Sequence, residues 1–86
     1  MQQLIEHFME QWCDRRPYII AHTSGSTGTP KEIKLLKSDM VMSARATNAR
    51  FNISSHSHLH LTLSPAYIAG KMMIVRALEA GCDLTY

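Results

Sequence analysis

The sequence contains few of the residues that mark specialised classes of protein. Its 86 residues include only 2 cysteines, 3 prolines and 4 glycines. The two cysteines, Cys13 and Cys82, lie near opposite ends of the chain and form no C-x-x-C pair, so a disulfide-rich miniprotein is not indicated. They could form one bridge, but the composition favours two free, buried thiols in a reducing compartment.

Long runs of one kind of residue are also absent. Nine Lys and Arg stand against seven Asp and Glu, a net charge of +2 without a basic block, so binding to nucleic acid is not expected. Glu6 and Glu10 interrupt the N-terminal apolar positions, and no apolar run reaches the ~18 residues of a membrane span. We therefore expect a cytoplasmic protein without a membrane partner.

The 45% of hydrophobic residues suffice for one small core. A chain of this size hides roughly 64% of its unfolded surface on folding, which leaves little room for a deep, enclosed active site. Hydrophobic spacing and turn residues predict short strands alternating with helices, an α/β fold. The predicted helices span residues 2–13, 39–51 and 69–80, and the predicted strands span residues 18–22, 32–37, 60–63 and 82–86.

Three details of this prediction concern how the elements begin, end and pair. Ser38 is expected to cap the second helix, and Gly81 to end the third. The first two strands should form an antiparallel pair. Residues 58–86, with the third strand beginning as early as His58, read as a βαβ unit with parallel strands and a right-handed crossover. Phe51 is expected on the apolar face of the second helix.

A βαβ unit buries its strands on both faces, and this sequence supplies few helices to cover them. The chain therefore looks like part of a larger α/β domain. Its uncovered sheet edges predict a homo-oligomer or a strand-swapped dimer as partner.

Chemistry is concentrated between the first two strands, in nine residues with five hydroxyls, two glycines, one proline and one lysine. Gly25 and Gly28 allow the backbone N–H groups to turn toward an anion. Lys31 adds a mobile positive charge, and Pro30 stiffens the turn before it. A generic Ser/Gly stretch would be a flexible hairpin loop, but the position of Pro30-Lys31 favours a phosphate-binding loop over residues 23–31. Its candidate phosphate-binding residues are Thr23, Ser24, Gly25, Ser26, Thr27, Gly28 and Lys31.

Two better-known phosphate-binding motifs do not match. In the Walker A pattern a lysine follows glycine and precedes Ser or Thr, whereas Lys31 follows Pro30 and precedes Glu32. The G-x-G-x-x-G dinucleotide motif differs in its spacing.

The motif has the form T-S-G-[ST]-T-G-x-P-K, and it resembles the phosphate-loop signature of the acyl-adenylating superfamily. A second stretch, Leu63 to Gly70 followed by Val75 to Gly81, looks like that family's next segment. Its latter part, Val75 to Gly81, is most similar to o-succinylbenzoate–CoA ligases of menaquinone biosynthesis. The resemblance covers about residues 18–86, and it implies that residues 1–86 are part of the large N-terminal AMP-binding domain of an adenylate-forming enzyme.

The resemblance implies a reaction with ATP, Mg²⁺ and coenzyme A. The carboxylate of a small acid would attack the α-phosphate of ATP, pyrophosphate would leave, and coenzyme A would take the acyl group from the adenylate. Tyr67 and Gly70 are the implied acyl-pocket candidates. Alignment on Ala69-Gly70 and residues 75–78 puts Tyr67 in the place of a family histidine, and alignment on Pro65 would put Ile68 there; the longer anchor favours Tyr67. No catalytic set is complete here, because the family's later segments have no counterpart in these residues, so the chain alone is expected to be inactive. Another acyl-CoA synthetase, an adenylation domain and a non-catalytic oligomeric or anion-binding module remain alternatives.

The sequence departs from the family pattern at Glu32, where glycine is usual. A carboxylate directed at the phosphates would weaken ATP binding, and one directed away would be harmless.

Other polar residues carry weaker signals. His56, His58 and His60 alternate as on one face of a strand, but no nearby acid or thiol completes a metal site, so no metal ligands are assigned. Lys71 and Arg76 could contact an acidic substrate, although a solvated helix face is the better interpretation. His22 is expected to be a core or edge histidine.

Overall fold

The computed structural model describes residues 1–22 and 31–86. Three helices are present in these ranges: α1 (Gln2–Cys13), α2 (Lys37–Arg50) and α3 (Ile68–Ala80). The strands are β1 (Tyr18–His22), β2 (Glu32–Leu36), β3 (His58–His60) and β4 (Asp83–Thr85). The α/β class predicted from the sequence is confirmed. No helix in this part of the chain is long and apolar enough to cross a membrane.

The first sheet is the antiparallel pair of β1 and β2, as predicted. Its register opposes Tyr18 to Leu36 at one end and His22 to Glu32 at the other. A hydrogen bond of 2.9 Å from the Lys37 backbone N–H to the Pro17 carbonyl extends the pairing beyond the strands. Lys37 nevertheless already belongs to α2, so β2 is one residue shorter than expected.

The second sheet pairs β3 with β4 in parallel, with Leu59 opposite Leu84. Since α3 connects the two strands, this region is the predicted βαβ unit. The strand prediction at residues 60–63 was displaced, because β3 runs over His58–His60. Leu61 still donates its N–H to the Thr85 carbonyl at 2.7 Å, and its side chain then turns into the core at 2% exposure.

The core lies where α1, β1, α2 and α3 meet. Phe8 of α1 stacks on Trp12 with ring centroids 5.8 Å apart. Alternate residues of β1 face this core, which leaves Ile20 and His22 on the opposite face. The buried cluster is formed by Phe8, Ile19, Met40, Ala44, Leu61, Ile74 and Val75.

The helix ends agree with the sequence in one case and differ in another. Gly81 ends α3 in the left-handed conformation with φ 67°, as a C-terminal glycine should. Ser38 does not cap α2, because the helix already begins at Lys37 and Leu36 occupies the N-cap position without a side-chain hydrogen bond. The extended strand β2 runs directly into the helix, which leaves no room for a separate cap.

Two predictions of burial were wrong. Phe51 follows the last residue of α2 and is 66% exposed, because the helix ends before this position could face the core. The cysteines are free, as expected, but Cys13 is exposed and Cys82 only half-buried.

Candidate functional site

The β1–β2 hairpin places both ends of the glycine- and hydroxyl-rich segment side by side. His22, the last residue of β1, lies directly opposite Glu32, the first residue of β2. Residues 23–30, which include six of the seven predicted phosphate-binding residues, lie outside the described residues. Lys31, the seventh, is exposed and immediately precedes β2. The structure therefore describes the neck of the segment, by which we mean the His22–Glu32 position where its two ends meet, and the position of Lys31.

Glu32 pairs with a histidine at this neck. Its Oε1 lies 3.5 Å from Nε2 of His22, and both side chains are substantially exposed. An exposed pair of this kind contributes little to stability. It does give the carboxylate a neighbour that can carry positive charge. His22 is accordingly an exposed residue at the edge of the sheet, in agreement with the edge alternative of the sequence interpretation.

The second predicted group of site residues lies at the start of α3. Tyr67 is the N-cap residue of the helix and is 51% exposed. Gly70 is buried against the preceding turn, where an added Cβ would lie 2.1 Å from the carbonyl oxygen of Ser64. Glycine is thus required here because the helix packs directly on the backbone of the turn.

The residues on either side of Tyr67 in the sequence line two different cavities. A volume of about 430 Å³ opens between β2, α2 and α3, with Ile68 and Met72 on its wall. A smaller one of about 220 Å³ lies between α1, β1 and the turn before α3, with Ala66 on its wall. We call this smaller cavity the Lys71 cleft, since the Lys71 side chain lines it. Tyr67 and Gly70 themselves line neither cavity.

Lys71 corrects the sequence interpretation of a solvated helix face. The residue is only 6% exposed. Its ammonium donates a hydrogen bond of 2.6 Å to the Pro65 carbonyl and lies 5.7 Å from the centre of the Phe8 ring. Burial lowers the pKa of Lys71 below its usual 10.5. Periodicity could not have revealed this, because a single lysine on an apolar helix reads equally well as an exposed residue.

Arg76 is partly buried rather than solvated. Its Nη1 contacts the Met73 sulfur at 3.6 Å, and its carbonyl accepts a hydrogen bond of 3.1 Å from the Asn48 amide. The Arg76 side chain therefore contacts its own helix, and its backbone carbonyl links α3 to α2.

The histidines predicted to alternate on one strand face divide between a turn and β3. His58 Nε2 and His60 Nδ1 each lie 2.9 Å from the same Thr85 hydroxyl, so they link β3 to β4. Over residues 1–22 and 31–86, no three His, Cys, Asp or Glu side chains lie close enough together to hold a metal ion. We therefore assign no Mg²⁺ ligand to this part of the chain.

The fold is similar to part of two larger proteins of known structure. The chain superposes with a TM-score of 0.82 on the acyl-CoA synthetase (AMP-forming)/AMP-acid ligase II-like protein from Dyadobacter fermentans, with 34% sequence identity. The match covers 94% of this chain and 23% of that protein. This chain shares its α/β fold with part of an adenylate-forming enzyme.

Two further comparisons bear on the fold and the sequence. The structure of VinN with L-aspartate matches with a TM-score of 0.71 at 21% identity, over 84% of this chain and 19% of VinN, which shows a common fold only. The hybrid PKS-NRPS synthetase pyvA of Aspergillus violaceofuscus is 31% identical over 68 residues, 79% of this chain and 2% of the synthetase. No family model matches the sequence. The chain thus spans a small part of each protein that it resembles.

Proposed function

We propose that this chain provides the phosphate-binding segment of an acid-adenylating ligase that uses ATP. The observation that carries the proposal is the register of the hairpin, which joins the two ends of the Ser/Thr/Gly segment at the His22–Glu32 position. A turn closed in this way can direct several backbone N–H groups toward one anion. The likeness to an AMP-forming ligase, at 34% identity over nearly the whole chain, supports the same function.

In this proposal the hydroxyls and amides of residues 23–28 bind the β- and γ-phosphates, and the Lys31 ammonium balances their charge. Charge-assisted hydrogen bonds of this kind contribute roughly 1.5–3 kcal/mol each, so a few of them suffice for micromolar binding. ATP supplies the AMP group and the pyrophosphate leaving group. The 3.5 Å pair with His22 supports a role for Glu32 outside phosphate contact, with its carboxylate held at the neck of the segment.

The finer proposal is an o-succinylbenzoate–CoA ligase of menaquinone biosynthesis, acting in the cytoplasm with Mg²⁺ and coenzyme A. It is supported by the sequence of residues 63–81, in which Tyr67 and Gly70 take the acyl-pocket positions. Tyr67 is half-exposed, and its sequence neighbours Ile68 and Ala66 line cavities of about 430 and 220 Å³. An acyl group of modest size could reach either one.

Binding of ATP by the purified chain tests the proposal. Isothermal titration with and without Mg²⁺ should give a saturable signal, and Lys31→Ala should weaken binding about tenfold or more. Lys34→Ala is the matched control, since Lys34 is also exposed on the hairpin but lies over the Tyr18 ring, 4.7 Å from its centre. Binding in the control should remain unchanged.

Two results would contradict this assignment. If the chain binds no nucleotide, or if both lysine variants weaken binding equally, the phosphate-binding role fails. The alternative of a non-catalytic oligomeric or anion-binding module would then be favoured. Protection of Lys31 from acetylation by ATP, read by mass spectrometry with Lys34 as the internal reference, provides an independent check.

A further inference from the structure

Lys71 is the most unusual charged residue in the described part of the chain. Its side chain is almost wholly buried, yet its contacts there are a carbonyl oxygen and an aromatic ring, and neither carries a full negative charge. Lys37 and Arg45, by contrast, pair with the carboxylates of Asp14 and Glu79 at 3.0 and 2.7 Å. A buried ammonium without a carboxylate is costly, because its lost hydration is only partly replaced.

Packing alone does not account for a lysine at this position. The residue that follows it is Met72, and a methionine at position 71 could cover the Phe8 ring with a stem of similar length and no charge. The position also lies in the first turn of α3, where the positive end of the helix dipole disfavours a cation. Two separate electrostatic costs therefore coincide at one side chain.

The surroundings of Lys71 form a concave site of positive character. The Lys71 cleft has a volume of about 220 Å³, and its polar lining consists of His7, Gln11, His22 and Lys71. None of its described lining residues is acidic. The carboxylate of Glu32 lies 3.5 Å from His22, which lines the cleft, but Glu32 is not itself among the lining residues. An anion in the cleft would offset the costs that Lys71 brings.

The place of the cleft in the fold links it to the phosphate-binding segment. His22 lines the cleft and is also the last residue of β1 before that segment begins. Pro65 and Ala66, on the opposite wall, belong to the turn that precedes the candidate acyl-pocket residues. The cleft is thus positioned between the two parts of the site that an adenylating enzyme must bring together, the nucleotide and the acid.

We propose that the Lys71 cleft binds a carboxylate group through the Lys71 ammonium, and that this carboxylate belongs to the acid substrate. The second part rests on the proposed function. The volume is below the roughly 300–1,000 Å³ of pockets that enclose whole drug-sized ligands, so it fits a carboxylate with a short stem. Lys71 is then a specificity-determining residue that selects acids able to place a carboxylate in the cleft.

The carboxylate site is tested by nuclear magnetic resonance of the chain with ¹³C-labelled lysine. Sodium acetate and sodium succinate are titrated at constant ionic strength, with sodium chloride as the blank. The Lys71 side-chain resonance, assigned by its absence in Lys71→Met, should shift and saturate, while that of Lys34 should not. Inorganic phosphate at the same concentrations distinguishes a carboxylate site from a general anion site. Equal saturation by phosphate would overturn the proposal.

Variants separate binding from folding. Lys71→Met should weaken carboxylate binding about tenfold or more, and Lys71→Arg should retain binding because the charge is kept. Lys34→Met is the matched control for loss of one positive charge and should bind carboxylate normally. Denaturation midpoints are measured for each variant. If Lys71→Met is folded and binds carboxylate as the unchanged chain does, the site does not exist.

A parallel titration with ATP distinguishes this inference from the proposed function. Lys71→Met should bind ATP normally, because the ammonium is assigned to the acid. If ATP binds in a Lys31-dependent way but carboxylates do not bind, the inference fails and the function stands. If carboxylates bind through Lys71 but ATP does not bind, the cleft is a carboxylate site for a free metabolite and its assignment to the acid substrate is wrong.

Discussion

The β1–β2 hairpin and the β3–α3–β4 unit are stabilised in different ways. Strand β2 alternates between exposed and half-buried residues and has no buried residue. Helix α3 has five buried residues, among them Ile74 and Val75 of the core cluster. The segment with the phosphate-loop resemblance thus runs into a strand with no buried residue, while the helix beside the candidate acyl pocket belongs to the core.

Because of this difference, substitutions on β2 and on α3 should have different consequences. Changes on β2 remove little buried surface and should affect binding more than stability. Changes on α3 alter the packing on which the whole fold depends, so a loss of binding there must always be checked against folding. Lys71 is the exception on α3, because replacing it by an apolar residue removes the cost of burying a charge together with one hydrogen bond to the Pro65 carbonyl.

The largest effect on stability is expected when isoleucine is replaced by alanine in α3, and the same replacement in β2 provides the comparison. Ile74→Ala, at a residue 2% exposed, should lower the free energy of unfolding by about 2–5 kcal/mol. Ile33→Ala, at a half-buried position of β2, should cost about 1 kcal/mol or less. Urea denaturation followed by circular dichroism measures both values. Equal losses would mean that β2 is as much a part of the core as α3.

A pair of glycine substitutions tests the close packing at the start of α3. Gly70→Ala introduces a Cβ 2.1 Å from the Ser64 carbonyl oxygen, so the helix must move away from the turn. We expect a loss of about 3 kcal/mol in the free energy of unfolding, at the upper end of ordinary overpacking.

Gly81→Ala is the matched control, because nothing lies within 4 Å of an added Cβ there and only the positive φ of 67° opposes it. Its expected cost is about 1–2 kcal/mol. A smaller loss at Gly70 than at Gly81 would show that the turn can yield and that this contact does not fix the helix.

The sequence predicted the order and type of the elements because each depends on local information. A short apolar run marked β1, alternation of polar and apolar residues marked β2, and Gly81 marked the end of α3 at the correct residue. The capping prediction at Ser38 failed because two elements meet without a linker, and the position of β3 failed because its length is set by its partner, Asp83–Thr85. Pairing across distant residues is not visible in a local pattern.

The candidate site was predictable to a different degree in its two parts. The phosphate-loop residues form a contiguous motif, so their chemistry could be interpreted from the sequence alone. The Lys71 cleft joins side chains from α1, β1, the turn before α3 and α3 itself, and its most distant lining residues, Leu4 and Lys71, are 67 positions apart in the sequence. Its burial depends on packing of three elements, and no window of the sequence contains that information.

A smaller effect is expected in the pH dependence of stability. Because burial lowers the pKa of Lys71 in the folded chain, the unfolded chain binds more protons between that pKa and the usual 10.5. The free energy of unfolding should therefore rise with pH toward 10.5 through the contribution of this group. Lys71→Met should lack that increment, and Lys34→Met should retain it. Parallel slopes for the unchanged chain and Lys71→Met in urea titrations between pH 8 and about 10 would show that burial of the ammonium has no energetic consequence.

The smallest effect should come from the contact that fastens the hairpin to α1. Lys37 Nζ donates to Asp14 Oδ1 at 3.0 Å and to the Asp14 carbonyl at 3.1 Å, just where β2 passes into α2. The Lys37 hydrogen bond, with a second bond from the Arg16 N–H, lowers the pKa of the Asp14 carboxyl below 3.8.

The contribution of the Asp14 carboxylate to stability is complete above its pKa in the unfolded chain and is lost as the pH falls through its pKa in the folded chain. Asp14→Asn should therefore differ from the unchanged chain in midpoint at pH 7 and approach it near pH 2, with a shift much smaller than that of Ile74→Ala because the pair is solvated. A shift that persists at acidic pH would assign the effect to altered side-chain hydrogen bonds or to the loop geometry, and not to the charge that joins these two regions.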